Sequence, residues 1–358
     1  MLLKLINSTL TNRPLNNKVF ECASETDWQQ CYDMALAQGV LAVTFPTMSS
    51  LPKELRPSFT LWSKWMAYTQ SIANQSVYKR EVVKKIGSWL AEDRLSTTII
   101  KGFSLSALYP NPDLREFSDI DIFSGENYEA VNKCFAKHGV KVDSVDGHHA
   151  YLNVDGVPFE HHFAFSNTKV KRGLVGPEDA LQSLALKDLQ PINIQGVYYP
   201  NPLFTALFVG WHAYEHFLQE KIQLRHLIDW TLALRQISEK DAETLSSIKG
   251  KTKWGLFTDI LTAIVISQLS LPREWFPQKE LVSTTSISQE QELKVWNDIL
   301  FAAQTPNSKL LSFRRGMIAQ RILKNSWKFD EYAEISAKTL VWEEFVGHLK
   351  HKNKKRYV

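Results

Sequence analysis

The sequence has few cysteines, no long apolar run and no internal repeat. Its three cysteines, Cys22, Cys31 and Cys134, are odd in number and lack metal-knuckle spacing, which fits a reducing compartment. No stretch approaches the roughly 18 uninterrupted apolar residues of a membrane span, so we expect none. The opening run MLLKLINSTLTNRP is too poor in consecutive apolar residues for a secretory signal. We therefore expect a cytoplasmic location.

The chain has no excess of positive charge except in its last nine residues. The net charge is +4, and five basic side chains lie in the last nine residues, namely Lys350, Lys352, Lys354, Lys355 and Arg356. The rest of the chain is close to neutral, so the basic balance gives little support for a nucleic-acid partner. We expect the basic end to be a solvated terminus.

The chain does have enough apolar and aromatic residues for a large core. Of its 358 residues, 44% are apolar and 22% charged, as in soluble globular proteins, and the length allows two or three structural units. The 11 Trp and 19 Phe favour aromatic-packed helical layers.

Apolar periodicity divides the chain into three regions. We predict an N-terminal helical region over 1–95, a small α/β core over 96–200 and a C-terminal helical region over 201–358. In the first region, Thr26 and Asp27 are predicted to cap a helix that begins near Trp28. A Pro-bearing loop over 45–57 and a long helix over 58–93 follow; this region carries no specific chemistry, so at most it forms a helical cap or lid.

Short apolar runs and turn residues predict the strands of the middle region. The predicted strands cover 97–101, 118–123, 140–145, 149–154, 157–165 and 192–198, with helices over 126–138 and 178–187. Asp155-Gly156 predicts a tight hairpin. Later helices are predicted over 203–218, 222–236, 239–249, 254–269, 290–303, 310–323 and 337–349. The predicted fold class is therefore α+β, a small mixed β-sheet flanked by N- and C-terminal helical regions.

Two carboxylates, Asp119 and Asp121, alternate with isoleucines in an apolar run after a strand-glycine-helix pattern. In a strand they share one face, where ionised carboxylates repel each other unless a cation neutralises them. Oxygen ligands suit Mg²⁺ or Mn²⁺. A third acid, Glu160, lies within a later apolar strand, where it is costly unless paired or metal-bound. These three acids predict a metal site.

The acids and their neighbours resemble a known family. The residues that carry the resemblance are Lys101-Gly102, Arg115, Asp119-Ile120-Asp121-Ile122, Glu160-His161-His162, His212 with His216, and Leu224-Arg225-His226-Leu227-Ile228-Asp229. In this order, over about 99–234, the chain is similar to the bacterial uncharacterised nucleotidyltransferase branch of the DNA polymerase β-like nucleotidyltransferase superfamily.

The resemblance implies a transferase that uses Mg²⁺ or Mn²⁺ and an NTP, with an unknown small-molecule or protein hydroxyl as acceptor. Asp119, Asp121 and Glu160 would bind the metal, or Glu160 would activate the attacking hydroxyl. Gly102 would let the backbone approach the triphosphate. The residues expected to contact the nucleotide are Lys101, Gly102, Ser104, Arg115, His162, His216, Arg225 and Asp229.

One position departs from the superfamily pattern. The usual Gly-Ser pair is Gly102-Phe103 here, with Ser104 one place later. Lys101 or Arg115 would then supply the phosphate contact. The departure also leaves open an alternative function, a catalytically altered nucleotide-binding or partner-binding module of the same fold.

The histidines of the chain also permit a zinc interpretation. His212 and His216 match the His-x-x-Glu-His pattern of inverted zinc proteases, without an evident third ligand. Of His148-His149 and of His161-His162, strand alternation lets one of each pair face the cleft, and we favour His162 beside Glu160.

Two sets of charged residues have both a structural and a functional interpretation. Arg225 and Asp229 form either a simple helix-face ion pair or an arginine that faces the nucleotide and is oriented by the aspartate. The basic loop of Lys169, Lys171 and Arg172 either attracts phosphate or is a solvated loop.

Overall fold

A seven-stranded mixed sheet with helices around it forms the molecule. The computed structural model describes residues 1–145, 147–166, 177–219, 221–302 and 322–342. The described helices are α1 (Leu2–Thr11), α2 (Glu25–Ala37), α3 (Leu41–Ser49), α4 (Phe59–Glu92), α5 (Gly102–Ser106), α6 (Tyr128–Lys137), α7 (Glu178–Leu184), α8 (Pro202–Gln219), α9 (Leu224–Leu234), α10 (Glu239–Lys249), α11 (Lys253–Ser267), α12 (Gln278–Ser283), α13 (Gln289–Ala302) and α14 (Ser326–Tyr332). The predicted α+β class is confirmed.

The central strands of the sheet carry the predicted acids. The strands are β1 (Thr97–Ile99), β2 (Ile120–Phe123), β3 (Val142–Val145), β4 (His149–Val154), β5 (Val157–His162), β6 (Gln190–Pro191) and β7 (Val197–Tyr199). They lie in the order β3-β4-β5-β2-β1-β7-β6. The β2–β5 and β1–β7 pairs are parallel, and the others antiparallel. The β2–β5 register pairs Asp121 with Glu160.

An apolar core lies between the sheet and helices α4 and α6. Ile120 and Ile122 of β2 enter it together with Ile86 of α4 and Phe135 of α6. Because strand residues alternate between faces, Asp121 emerges on the side away from this core. The core therefore fixes the direction in which the candidate metal ligand points.

A second and larger core joins the N-terminal and C-terminal helices. Trp65 of α4 and Trp254 of α11 belong to the same apolar cluster. The side-chain amide of Asn7 donates to the backbone oxygen of Leu269 at 2.9 Å across this junction. The two helical regions therefore pack as one body around the sheet, and the boundaries after 95 and after 200 stay predictions.

The first helices differ from the predicted ones. Helix α2 begins at Glu25 because Ser24 caps it, with a reciprocal bond to Asp27. The predicted cap at Thr26 and Asp27, with a start near Trp28, is therefore wrong by most of one turn. The loop predicted to begin at residue 45 is also wrong, because α3 continues to Ser49 with Pro46 inside it.

Elsewhere the predicted elements agree closely with the structure. The long helix is confirmed as α4, and the hairpin between β4 and β5 has Asp155 and Gly156 at φ 51° and 79°. The strand predicted over 192–198 is instead a short antiparallel pair, β6 and β7. The basic loop 169–172, the helix over 310–323 except its last two residues, and the basic end lie outside the described residues, as does the end of the helix over 337–349. Within the described ranges, no helix is both long and apolar enough to cross a membrane.

Candidate active site

The two central parallel strands bring Asp121 and Glu160 side by side. The Asp121 side chain is fully buried, and that of Glu160 is 16% exposed. Asp119 lies just before β2, where burial and the charge of Asp121 raise the pKa of its carboxyl. The three predicted acids are thus neighbours on one side of the sheet.

Asp121 has two cationic partners on one oxygen and none on the other. Lys101 Nζ lies 3.0 Å and His162 Nε2 3.1 Å from Asp121 Oδ1. Asp121 Oδ2 is buried and has no hydrogen-bond partner. Burial opposes ionisation of Asp121, but Lys101 and His162 hold its pKa below the ordinary value. A buried, ionised carboxylate with an unused oxygen can accept a cation.

Lys101 and His162 respond to the acids in the same way. Burial alone would lower the pKa of Lys101, but the charges of Asp121, Asp119 and Glu160 raise it. Burial likewise opposes protonation of His162, whereas its hydrogen bond to Asp121 and the nearby carboxylate of Glu160 raise its pKa. Both groups therefore balance the negative charge of the acids.

The prediction for the histidine pair of β5 is confirmed, and the one for the pair near β4 is wrong. His162 faces Asp121, while His161 points to the other side and bonds Ser124 Oγ at 3.0 Å. His148 precedes β4 in a bend, so strand alternation does not apply to it. The rings of His148 and His149 both lie near His162, with centroids 5.4 Å and 5.0 Å away.

The turn after β1 is held by contacts within the chain. A Cβ on Gly102 would lie 2.8 Å from the Cβ of Phe117, so glycine is required there by its own neighbour. Phe103 is buried in the core under the sheet. Ser104 Oγ donates to the backbone oxygen of Lys101 at 2.8 Å. The serine hydroxyl is therefore engaged with the backbone.

A buried network ties this turn to helix α9. Arg115 donates to Asp229 through Nε at 2.8 Å and Nη2 at 2.7 Å, and to the backbone oxygen of Gly102 through Nη1 at 3.0 Å. Tyr109 donates to Asp229 at 2.7 Å. Burial opposes ionisation of Asp229, but Arg115 lowers its pKa. Tyr109 was not identified from the sequence, because it lies at the end of a short apolar segment with no recognisable motif.

Arg225 does not pair with Asp229, which corrects the pairing that both interpretations assumed. Its Nη1 donates to the backbone oxygen of Glu116 at 3.0 Å, and its Nη2 to Gln223 Oε1 at 3.4 Å. Asp229 pairs with Arg115 instead, which comes from a distant part of the chain. The guanidinium of Arg225 is thus oriented by the segment that precedes Asp119.

Three histidines form part of the helical wall. His212 and His216 face each other with their Nε2 atoms 3.1 Å apart, and the ring of His226 lies 5.6 Å from that of His216. Burial lowers the pKa of His212 and of His226 well below the ordinary value. Within the described part of the chain, neither group of three metal-ligating side chains includes His212 or His216. The zinc-protease hypothesis therefore gains no third ligand.

These elements enclose a cleft of about 370 Å³ between the sheet and helices α8 and α9. Ser104, Glu160 and His162 are set back from its walls. The predicted site residues that line the cleft are Lys101, Gly102, Arg115, Asp119, Asp121, His216, Arg225 and Asp229. The cleft brings together acids from the sheet and cations from the helices.

Comparisons with known proteins give one family and two distant structures. No curated protein matches the chain. The solution structure of the antibiotic-resistance factor ANT(2″)-Ia has a TM-score of 0.35 and 14% identity, covering 48% of this chain and 91% of its own. The crystal structure of ANT(2″)-Ia in complex with adenylyl-2″-tobramycin has a TM-score of 0.34 and 12% identity, covering 49% and 95%.

The family comparison covers most of the chain and includes every predicted site residue. The match to the uncharacterised nucleotidyltransferases runs over residues 24–270. It begins in the cap of α2, passes through the whole sheet and ends just after α11. The predicted resemblance is confirmed, and the chain belongs to the uncharacterised nucleotidyltransferase family.

Proposed function

We propose that the protein is a metal-dependent nucleotidyltransferase that moves a nucleoside monophosphate from an NTP to a hydroxyl of a small-molecule or protein acceptor. Membership of the family supports nucleotidyl transfer. The observation that carries the metal dependence is Asp121, a fully buried carboxylate with one oxygen unpartnered beside Glu160. An ionised carboxylate without a partner on one oxygen is costly in a core, and a bound cation removes that cost.

The residues present fit a divalent ion. Asp119, Asp121 and Glu160 supply the oxygen ligands, and the unpartnered Oδ2 of Asp121 is the first of them. A bound Mg²⁺ or Mn²⁺ would neutralise charge on the phosphate oxygens during transfer. Lys101, which now lies on Asp121 Oδ1, is close enough to turn toward a triphosphate in the cleft.

The transfer forms one bond and breaks another at the α-phosphorus. The acceptor oxygen attacks this atom, the bond to the bridging oxygen breaks, and pyrophosphate leaves with its electron pair. The proton of the acceptor hydroxyl passes to a carboxylate of this cluster, and receiving it is the alternative role of Glu160 to that of a metal ligand. Rate comes mainly from positioning and charge neutralisation.

Side chains of the helical wall bind the nucleotide, whereas Arg115 positions the turn that contains Gly102. Arg225 and His216 line the cleft opposite Asp119 and Asp121. The N–H groups of Arg115 already donate to Asp229 and to the backbone oxygen of Gly102, so Arg115 acts by holding Gly102 in place. A phosphate contact is thus assigned to Lys101 and Arg225.

Label transfer tests this proposal. Purified protein with an NTP labelled at the α-phosphate should move the label onto a component of a cell extract, whereas a γ-label should leave in pyrophosphate. Asp121→Asn should abolish the transfer, and Asp155→Asn is the control, since that aspartate forms an exposed ion pair with Lys85 in the hairpin. Retention of transfer by Asp121→Asn, or transfer that continues in excess chelator, would refute the proposal.

A second candidate function is a nucleotide-binding module without transfer. It is favoured by Phe103, buried where the superfamily usually has serine, and by Ser104, whose hydroxyl is engaged by the backbone. Calorimetry with Mg-ATP, Mg-CTP and Mg-GTP separates the two candidates. Binding of a nucleotide without label transfer to any acceptor would favour the module over the enzyme.

A further inference from the structure

Histidines surround the inner side of the acid cluster. The ligand atoms of Asp121, Glu160 and His162 all lie within 4.8 Å of one another, and so do those of His148, His149 and His162. His162 belongs to both groups and is 2% exposed. The innermost acids therefore face imidazole nitrogen as well as carboxylate oxygen.

The separations around His162 match those of two ligands on one ion. Its Nε2 lies 3.1 Å from Asp121 Oδ1 and 3.6 Å from Glu160 Oε2. Ligands about 2.1 Å from a common metal are roughly 3.0 Å apart at right angles and about 3.4 Å apart in a tetrahedron. A small adjustment of these side chains, with release of the Nε2 proton of His162 to solvent, would accommodate one ion between them.

The other nitrogen of His162 has the partner that metal-binding histidines usually have. Nδ1 lies 3.2 Å from the backbone oxygen of Ala164. Because a carbonyl oxygen only accepts, Nδ1 carries a hydrogen, and this bond directs Nε2 at the carboxylates. A carbonyl partner on the far nitrogen fixes the ring orientation of histidine ligands in metal sites.

A neighbouring histidine also lies beside the Glu160 carboxylate. His149 Nε2 lies 3.6 Å from Glu160 Oε1, the oxygen that does not face His162. His149 is paired with His162 across the β4–β5 register. The Glu160 carboxylate thus lies between two imidazoles, with one oxygen on the side of His162.

We infer that His162 is a ligand of the cation site, which therefore prefers Mn²⁺ or another transition-metal ion over Mg²⁺. The inference rests on the proposed function for the existence of the cation site and adds the identity of its nitrogen ligand. Imidazole suits transition metals, whereas Mg²⁺ demands oxygen ligands and keeps its water. A site of three carboxylates would not make this distinction.

Binding of Mn²⁺ to the full chain without nucleotide tests the inference directly. Electron paramagnetic resonance titration gives the affinity, competition with Mg²⁺ gives the preference, and electron spin echo modulation shows whether nitrogen is bound. We expect nitrogen modulation in the wild type. His162→Asn should remove it and weaken Mn²⁺ binding by about tenfold or more, since even indirect partners change metal affinity 10–100-fold.

Two additional variants guard against a folding effect. His162→Asp keeps a ligand but makes the set all-oxygen, so we expect it to lose the nitrogen modulation and shift the preference toward Mg²⁺. His161→Asn is the matched control, because His161 is the next residue of β5 and points to the opposite side. It should leave both the modulation and the Mn²⁺ affinity unchanged.

The outcomes separate this inference from the proposed function. Mn²⁺ bound without nitrogen modulation, or a His162→Asp variant with an unchanged metal preference, would overturn the histidine ligand and leave a metal-dependent transferase intact. Failure of the wild type to bind any divalent ion overturns the inference. Label transfer that persists in excess chelator would instead count against the proposed function.

Discussion

Two buried aspartates on facing sides of the cleft have opposite surroundings. Asp229 accepts hydrogen bonds on both oxygens, from Arg115 and Tyr109. Asp121 accepts from Lys101 and His162 on one oxygen only, and its other oxygen is buried without a partner. Both have a lowered pKa, so both are ionised at neutral pH.

The difference shows which aspartate serves the fold and which serves a ligand. A buried carboxylate with hydrogen bonds on both oxygens is stabilised by the protein itself. One with an unused oxygen is incomplete until a cation binds. The comparison predicts that removing Asp229 damages stability, whereas removing Asp121 damages binding.

The largest stability effect is expected at Asp229. Asp229→Asn leaves the buried guanidinium of Arg115 without its counter-charge, which should cost about 3–5 kcal/mol of unfolding free energy. Urea denaturation followed by circular dichroism measures it. Asp113→Asn, which removes a partly exposed ion pair with Arg80, is the control and should cost about 1 kcal/mol or less. Equal losses in the two variants would break the comparison.

A smaller stability effect is expected at Asp121. Asp121→Asn removes an oxygen that has no partner and keeps an acceptor for Lys101, which still has the charges of Asp119 and Glu160, so we expect a loss of about 1 kcal/mol. The same denaturation experiment measures it beside Asp229→Asn. Addition of Mn²⁺ should stabilise the wild type and leave this variant unaffected. A variant as unstable as Asp229→Asn would mean that Asp121 is structural.

The pH dependence of stability tests another buried group of helix α9, the helix that carries Asp229. His226 accepts the backbone N–H of Gln223 on Nδ1 at 2.9 Å, and burial holds its pKa well below 6.5. The unfolded chain therefore binds a proton first as pH falls below about 6.5, and stability contributed by the neutral ring is lost toward acid. His226→Gln should lower the slope of unfolding free energy against pH by about 1.4 kcal/mol per unit below about pH 6. Equal slopes of unfolding free energy against pH in the wild type and in His226→Gln would contradict this prediction.

An effect on stability as small as that at Asp121 is expected at Ser104. Ser104→Ala removes one hydrogen bond to the Lys101 carbonyl, which is worth about 0.5–1.5 kcal/mol. Nucleotide affinity should not change, because the hydroxyl does not line the cleft. Ser106→Ala is the control, since its hydroxyl makes an equivalent bond to Phe103. A loss of nucleotide affinity in Ser104→Ala but not in Ser106→Ala would indicate that Ser104 does contact the phosphate.

The acid half of the site was predictable because it depends on local periodicity. Strand alternation put Asp121 and Ile122 on opposite faces, and it paired Glu160 with His162 on one side. The hairpin followed from the turn preference of Asp155-Gly156. Each of these features is decided within a few residues of the chain, which is the range over which patterning is informative.

The other half depends on contacts between distant residues. Arg115 and Asp229 are 114 residues apart, and the nearer partner at helical spacing, Arg225, was the wrong choice. The bend at His148 removed the alternation on which the prediction for that pair rested. The resemblance provided a reason for glycine at position 102 in the approach of a triphosphate. The close contact with Phe117, which by itself requires glycine there, was not predicted. Such features need the tertiary structure.

The contact between Asn7 and the end of α11 has a consequence for how the protein is made. Its donor and acceptor are 262 residues apart, so the first helix lacks this partner until most of the chain has left the ribosome. At about 5–20 residues per second, that interval is roughly 13–50 s. Such distant contacts also slow folding. The polar link from α1 to the residues after α11 therefore closes late, long after the neighbouring helices α2 and α3 are available to pack on α1.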